Sequence, residues 1–205
     1  GWGMWAAVLV SLMSPALAGA QYTYVTNTPN TNTITITGYV GAGGDVEIPS
    51  QIGDKTVTVI GLSAFEGSSL TNVTIPDSVT YISHMAFKDC GLTNVVIGNG
   101  VRTIGAGAFA GSGLIIVAIP NNVTRILSVW SGGTAGAFQR CGSLSNVVLG
   151  TGLADIKDQT FFRCDRLTNV VIRSAMTNIG FGAFMSCTSL VSIEIPNAVV
   201  RIGDY

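Results

Sequence analysis

The chain has 205 residues, of which 47% are hydrophobic and 10% are charged. It is long enough to bury a core, but its charge is well below the roughly 25% of an ordinary globular domain. Ten basic and eleven acidic side chains are spread along it without runs. This distribution predicts no basic patch that would bind nucleic acid or an anionic membrane surface, and we expect neither as a partner.

The first twenty residues have the pattern of an export signal. An apolar run from Trp5 to Leu12 is followed by Pro15 and by the small residues 16–20. The run is too short to span a membrane as a helix, which needs about 20 residues. We therefore predict a signal peptide over residues 1–20, shortened at its start because no initiator methionine precedes it, and no membrane insertion of the mature chain. A buried N-terminal helix is the alternative.

Residues 21–47 differ from the remainder of the chain and are predicted to form an N-terminal cap. They contain the alternating segment Thr33 to Thr37, then Gly38 and the glycine-rich segment 41–44. Atypical end units are expected in repeat arrays, because the first repeat has to be covered. The repeats are then assigned to residues 48–205, with the last unit incomplete and the first one lengthened.

One short unit recurs from residue 48 onward. It is marked by phenylalanines that fall 22 to 29 residues apart, at Phe65, Phe87, Phe109, Phe138, Phe161 and Phe184. A period in the low twenties matches the leucine-rich repeat class and excludes propeller blades and helical-pair repeats, which need over about 30 residues. Because no unit can bury its apolar residues alone, the units are predicted to stack.

Each unit carries the same order of structural signals. The alternation over Asn72 to Ile75 predicts a short strand with one buried face, and Pro76 ends it. Val79 and Ile82 return to the core, and the segment 86–90 has room for one helical or 3₁₀ turn. The predicted fold is a mostly β leucine-rich-repeat solenoid. Its short strands form a parallel sheet, with rungs about 4.8 Å apart, and turns and one-turn helical segments lie on the other side.

The four cysteines are explained by the repeat. They stand three residues after a repeat phenylalanine, at Cys90, Cys141, Cys164 and Cys187. Cys90 and Cys141 are two rungs apart, beyond disulfide range, and side chains on adjacent rungs keep their Cβ atoms about 4.8 Å apart, longer than disulfides prefer. We predict buried free thiols. The sole histidine, His84, stands at another repeat position and is expected to be exposed, so neither a metal site nor a cofactor is predicted.

Two columns of residues are predicted to point outward from the strands. The first is Asn72, Asn94, Ile116, Asn146, Asn169 and Ser192. Its four asparagines favour a stabilising amide ladder. The second is Thr74, Val96, Ala118, Val148, Val171 and Glu194. Its apolar middle indicates a contact surface, with plain strand propensity as the alternative.

The turn over residues 127–135 is seven residues longer than its equivalents and contains Val129 and Trp130. Insertions in solenoids often lie on the binding face, and aromatic anchors dominate interface energetics. Val129 and Trp130 are therefore candidate ligand-binding residues. The alternative is that Trp130 folds back to cover a local gap.

The repeated pattern L-x-x-V-x-I-P-x-x-V-x-x-I-G-x-x-A-F-x-x-C resembles the BspA-type leucine-rich repeat, over residues 38 to 205. That family occurs in surface proteins of bacteria and of some parasitic protists. The chain departs from it where Ile-Gly is missing at 82–83, 126–127 and 156–157, at Thr160 in place of alanine, and in the long fourth turn. The resemblance implies a secreted or surface-attached binding module of the adhesin kind.

No nucleophile with a base, carboxylate pair or phosphate-binding loop recurs in the chain, so we predict that it is not an enzyme. The leading hypothesis is a secreted or cell-surface module that binds an extracellular protein or glycan through the strand face and the 127–135 loop. Two alternatives stay open: a structural spacer that projects another domain, and an accessory repeat region of a larger secreted enzyme.

Overall fold

The structure is a computed structural model that describes residues 21–130, 133–172 and 176–204. The signal peptide predicted over residues 1–20 lies outside the described residues. All the regular elements found within the described ranges are strands. They are β1 (Tyr22–Thr26), β2 (Thr33–Tyr39), β3 (Gly44–Glu47), β4 (Gln51–Ile52), β5 (Lys55–Ile60), β6 (Leu70–Ile75), β7 (Tyr81–Ile82), β8 (Asn94–Ile97), β9 (Thr103–Ile104), β10 (Ile116–Ala118), β11 (Arg125–Ile126), β12 (Val129–Trp130), β13 (Gly133–Thr134), β14 (Asn146–Val148), β15 (Asp155–Ile156), β16 (Asn169–Val171), β17 (Asn178–Ile179) and β18 (Arg201–Ile202).

The predicted strand of each unit forms one side of the solenoid, which we call the first sheet. It consists of the parallel sets β3-β6-β8 and β10-β14-β16. Val73 pairs with Val95, and Val147 with Val170, so equivalent residues of successive coils stand side by side. Hydrogen-bonded pairing is interrupted between β8 and β10. The parallel-stranded solenoid predicted from the repeat is confirmed.

A second ladder, which we call the second sheet, was not predicted. It runs through β1-β2-β5-β7-β9-β11, with β4 on β5, and continues as β15-β17-β18. From β7 onward each coil contributes two residues, the second being an isoleucine that is buried in the inner coils, such as Ile82 or Ile104. A two-residue strand has no detectable period in a sequence. It forms because stacking brings its amides opposite the carbonyls of the next coil.

The segment around each phenylalanine, which we call the Ala–Phe turn, is not helical in the described residues. The amide of Phe65 donates to Ala86 O of the next coil at 2.8 Å, whereas that of Glu66 donates to Ser63 O at 3.1 Å. Alternate amides thus bond along the stack instead of along the chain. Positive φ at Ser63 (51°) and Gly67 (68°) turns the backbone in this way. The predicted helical turn is replaced by this arrangement.

The core runs the length of the solenoid. Its centre is a row of rings, the Phe stack, formed by the six repeat phenylalanines with centroids 4.8 to 5.6 Å apart and planes within 16° of parallel. At the N-terminal end, β1 and β2 form an antiparallel hairpin, and β2 lies parallel to β5. Tyr22 and Tyr39 contact the ring of Phe65 with centroids 6.2 and 5.2 Å away. Residues of the predicted cap thus contact the first coil, and β3 stacks on β6. The division into a cap over 21–47 and repeats over 48–205 stays a prediction.

Candidate binding surface

The outward columns of the first sheet are the strongest candidate for a functional surface. Residues alternate between core and solvent along each strand, so parallel pairing lines up the outward residues of successive coils. Thr74 stands beside Val96, and Ala118 stands beside Val148, which in turn neighbours Val171. Glu194 takes the same repeat position in the last coil and is exposed. The structure thus brings Thr74 and Val96 together, and Ala118, Val148 and Val171 together. The interruption between β8 and β10 separates the two sets, and Glu194 lies in none of the strands of the described residues.

The middle of this face is apolar and open to solvent. Val96 and Ile116 are each 52% exposed and Val171 is 37% exposed, with Ala118 exposed and Val148 half-buried between them. An open depression lies where the pairing between β8 and β10 is interrupted. It is lined by Val95, Val96, Ile97, Asn99, Ala118, Ile119 and Pro120. An apolar strip of this kind can accept apolar side chains from a partner.

The asparagine column is also brought into register. Asn72 pairs with Asn94 and Asn146 with Asn169. Asn169 donates its amide to Asn146 Oδ1 at 3.3 Å, and Asn72 donates its amide to Asp45 Oδ1. Ile116 separates the two asparagine pairs. A stabilising role of this column stays a prediction.

A hydroxyl column beside it was missed in the sequence. Thr93 Oγ1 donates to Thr71 O at 3.2 Å, Ser145 Oγ to Ile115 O at 3.0 Å, and Thr168 Oγ1 to Ser145 O at 3.1 Å. The sequence feature that could have predicted this column is the serine or threonine that directly follows the leucine in most units. Each hydroxyl bonds to the coil before it, so this column stabilises the stack.

The long turn forms a hairpin, β12–β13, whose position differs from that of the strand face. Its base is closed by the amide of Ala135, which donates to Ser128 O at 2.7 Å, and the amide of Gly107 donates to Ala135 O at 3.0 Å. The hairpin therefore leaves the solenoid at the corner between the second sheet and the Ala–Phe turn, on the opposite side from the first sheet. The side chains of Val129 and Trp130 lie outside what the structure describes.

The cysteines are free, buried and lined up along the core. The thiols of Cys141 and Cys187 donate to the carbonyls of Phe109 and Phe161 at 3.2 and 3.1 Å. Burial raises the pKa of the Cys141 thiol to about 11. A neutral, enclosed thiol is a poor nucleophile and a poor metal ligand. Among the described residues, no group of three or more His, Cys, Asp or Glu side chains is arranged to hold a metal ion.

His84 is half-buried, not exposed as expected. Its Nδ1 accepts the backbone amide of Ala106 at 3.0 Å, which leaves the ring proton on Nε2 in the neutral form. Burial lowers the pKa of His84. The side chain connects two coils because alternate backbone amides of the Ala–Phe turn point toward a neighbouring coil, and the amide of Ala106 points at His84.

The repeated sequence pattern, the two sheets and the Phe stack are consistent with one family of repeat proteins. The BspA type leucine rich repeat region matches residues 46–129 and 134–205 in six copies. The chain belongs to this family. The resemblance seen in the repeat pattern is thereby confirmed. No curated protein matches the chain in sequence.

Solved structures of two leucine-rich repeat proteins and of one bacterial antigen have the same fold. A leucine rich repeat protein of T. pallidum is 28% identical with a TM-score of 0.66, over 83% of this chain and 88% of that one. A leucine rich cell surface protein from Faecalibacterium prausnitzii is 28% identical with a TM-score of 0.56, over 84% of this chain and 52% of that one. The pneumococcal vaccine antigen PcpA is 19% identical with a TM-score of 0.67, over 87% of this chain and 49% of that one, and shows the fold alone.

This chain spans about half the length of the latter two proteins. Residues 21–130, 133–172 and 176–204 contain no helix that could serve as a membrane-spanning segment.

Proposed function

We propose that this BspA-type repeat protein is a secreted or cell-surface module that binds an extracellular protein or glycan in the manner of an adhesin and catalyses no reaction. The observation that carries the proposal is the exposed apolar strip on the first sheet, over Val96, Ile116, Ala118 and Val171. A soluble protein gains nothing from holding such side chains in water over several consecutive coils. They gain free energy when a partner covers them.

The family supports the surface location. One structural relative at 28% identity is a cell surface protein, and repeat solenoids of this class use their long faces for binding. A reporter fused after Gln21 tests export directly. We expect it outside the cytoplasm, and retention inside the cell would contradict the signal peptide proposed for residues 1–20.

The size of the strip sets the strength of binding. The whole strand face, six coils about 4.8 Å apart with strands about 10 Å long, covers on the order of 300 Å², and the strip is part of it. A standard interface takes about 800 Å² on each partner. Binding through this strip alone is therefore weak and reversible. Trp130 and Val129 in the hairpin add area only for a partner that reaches around the edge of the coil.

The test is capture of extracellular matrix proteins and glycans by the immobilised protein. A variant with Val96→Lys, Val148→Lys and Val171→Lys introduces charge into the strip and should lose saturable capture. The matched control places three lysines on the second sheet or directly beside it, at Thr103, Thr124 and Asn178, and should retain capture. A Trp130→Ala variant reports separately on the hairpin.

Both lysine variants must show the circular dichroism spectrum of the parent protein. Capture that survives all three valine substitutions would overturn the assignment of the binding surface. Absence of capture by the parent would favour the spacer.

A further inference from the structure

The turn that follows β8 contains Asn99 and Gly100, the one place in the chain where asparagine precedes glycine. We propose that this pair modifies itself: the backbone amide of Gly100 attacks the side chain of Asn99, and the asparagine becomes aspartate or isoaspartate. The proposal does not depend on the binding function proposed above. It follows from the hydrogen bonds of the turn and from what the neighbouring coils place against it.

The side chain of Asn99 lacks a bond that its equivalents make. In the coil before it, Asp77 Oδ1 accepts the amide of Asn99 at 2.6 Å. In the coil after it, Asn121 Oδ1 accepts the amide of Thr151 at 3.0 Å. The bond from the Asn121 amide to Asn99 Oδ1 is absent from the described residues, at the place where the pairing between β8 and β10 is interrupted. The carboxamide of Asn99 is therefore left exposed beside the depression, available to react.

The amide of Gly100 is available as the nucleophile. Among the described residues it has no hydrogen-bond acceptor, although the turn is closed by the Val101 amide, which donates to Gly98 O at 3.2 Å. Glycine has no side chain that would hinder the approach of its amide to Asn99. Packing requires glycine here for a separate reason, since a Cβ at this position would overlap the carbonyl oxygen of Asp77.

Two donors activate this amide. Arg102 Nη1 donates to Asn99 O at 3.0 Å, and Asn122 Nδ2 donates to the same oxygen at 2.7 Å. Asn99 O and the nitrogen of Gly100 belong to one peptide group, so the negative charge left by loss of the amide proton is shared with that oxygen. A guanidinium and a carboxamide at hydrogen-bond distance stabilise this anion, as the donors of an oxyanion hole do.

The reaction needs water as its only co-reactant. The deprotonated nitrogen of Gly100 forms a bond with Cγ of Asn99, and the carboxamide nitrogen takes up a proton and leaves as ammonia, which closes a cyclic imide. Water then adds to one of the imide carbonyls and opens the ring. Addition at the side-chain carbonyl gives aspartate, and addition at the main-chain carbonyl gives isoaspartate. Nothing is oxidised or reduced.

The product differs from the parent protein at the edge of the depression in the first sheet. Its new carboxylate adds negative charge to a site that Val96 and Ala118 also line. Isoaspartate also adds a methylene group to the main chain, in a turn that packs against Asp77 and is bonded by Asn122 of the next coil. A chain that persists outside the cell would accumulate this second form.

The experiment incubates the folded protein at mildly alkaline pH and follows, by mass spectrometry, the proteolytic peptide that carries both Asn94 and Asn99. Asn94 precedes Val95 and serves as the internal reference. We expect conversion of amide to acid at Asn99, with release of ammonia and labelling by a methyltransferase specific for isoaspartate, and none at Asn94. The rate should rise with pH, because the amide has to lose its proton.

Arg102→Met should slow the reaction of the folded protein about tenfold, less than the roughly hundredfold or more that a buried oxyanion donor contributes. Arg125→Met is the matched control, since Arg125 makes no bond to Asn99 within the described ranges, and it should leave the rate unchanged. In urea the unfolded parent and Arg102→Met should react equally fast, because the assistance requires the folded turn. Both variants must show the circular dichroism spectrum of the parent.

The outcomes are distinct. An Asn99 that stays intact in the folded protein but converts in urea would overturn the proposal, because the turn would then protect the pair. Equal rates for the folded parent and Arg102→Met, or equal slowing by both arginine substitutions, would overturn the activation by Arg102.

Discussion

Single residues of the Ala–Phe turn carry backbone strain that the rest of the coil holds in place. The positions two residues before and two residues after the repeat phenylalanine have positive φ in most coils. Non-glycine residues occupy seven such positions, Ser63, Met85, Asp89, Arg140, Gln159, Arg163 and Ser186. A side chain in this conformation costs about 1 to 2 kcal/mol. The strain persists because the turn's amides must meet the carbonyls of the next coil.

Relief of this strain should stabilise the protein. Ser186 is exposed and has φ 62°, so Ser186→Gly should raise the free energy of unfolding by about 1 kcal/mol. Gly67 holds the equivalent position with φ 68° and has no atom within 4 Å of where its Cβ would lie. Gly67→Ser, the matched control, should therefore lower stability by a similar amount. Urea denaturation measures both, and a destabilised Ser186→Gly variant would contradict the prediction.

His84 should make stability depend on pH. Burial lowers its pKa below the ordinary 6.5, so the unfolded chain binds the proton more readily than the folded protein does. The stability linked to neutral His84 is complete above pH 6.5 and falls as the pH drops below that value, until the folded state is itself protonated. Protonation at Nδ1 also removes the acceptor for the Ala106 amide.

The measurement is the urea midpoint at about pH 7.5 and about pH 5, for the parent and for His84→Asn. The parent should lose more stability between the two values than the variant does. Equal losses would assign the acid sensitivity to other groups.

At the scale of the element, prolines and glycines alternate at the end of four first-sheet strands, β6, β8, β10 and β14. Pro76, Gly98, Pro120 and Gly150 follow one another in successive coils. A Cβ on Gly98 would lie 2.6 Å from the carbonyl carbon and oxygen of Pro76, and one on Gly150 would lie 2.3 Å from Pro120 O. The backbone of the glycine coil therefore lies directly against that of the proline coil before it.

Gly98→Ala should lower the free energy of unfolding by about 2 kcal/mol, because rigid backbone atoms have to move to admit the methyl group. Gly142 has no atom within 4 Å of its Cβ position and no positive φ, so Gly142→Ala should change stability by less than about 0.5 kcal/mol. Thermal and urea unfolding check the pair. Equal effects of the two substitutions would mean that the coils can separate locally at no cost.

The strands of the two sheets differ in how well the sequence predicts them. The first-sheet strand is predictable because Val73 and Ile75 alternate with outward residues and a proline stops the strand. The outward columns follow from the same alternation. The second sheet is not predictable, since Tyr81–Ile82 is too short to carry a period. Nor is the interruption between β8 and β10, with the depression beside Ala118, because it depends on pairing between coils and not on the residues of one coil.

At the scale of the whole molecule, the burial of equivalent residues differs between the described coils. Ile82 and Ile104 are fully buried in the second sheet, whereas their equivalent Ile202 in the last described coil is 63% exposed. Each coil touches only its neighbours, so a coil covered on both faces is more stable than one covered on a single face. On the N-terminal side, β2 of the hairpin β1–β2 lies parallel to β5 of the first coil.

Two positions of the Phe stack test whether a fully buried ring contributes more to the stability of the protein than a half-buried one. Phe109 is fully buried between two rings, and Phe109→Ala should cost about 3 to 5 kcal/mol and disrupt both neighbouring coils. Phe184 is only half-buried, so Phe184→Ala should cost less and leave coils far from it intact. Hydrogen exchange resolved by residue distinguishes the two. Loss of protection along the whole chain in both variants would indicate a single cooperative unit.

The contact between Gly98 and Pro76 has a consequence for how such a protein can change its length in evolution. A glycine-bearing coil fits on a proline-bearing one, but a proline or any other residue with a Cβ does not fit there without a shift of backbone. Pro49 and Pro76 already stand at this position in successive coils, so a proline-bearing coil can follow another in this chain. At a junction built like that of Gly98 on Pro76, insertion of a coil with glycine at this position keeps the backbone in place, whereas insertion of a coil with any other residue has to shift it.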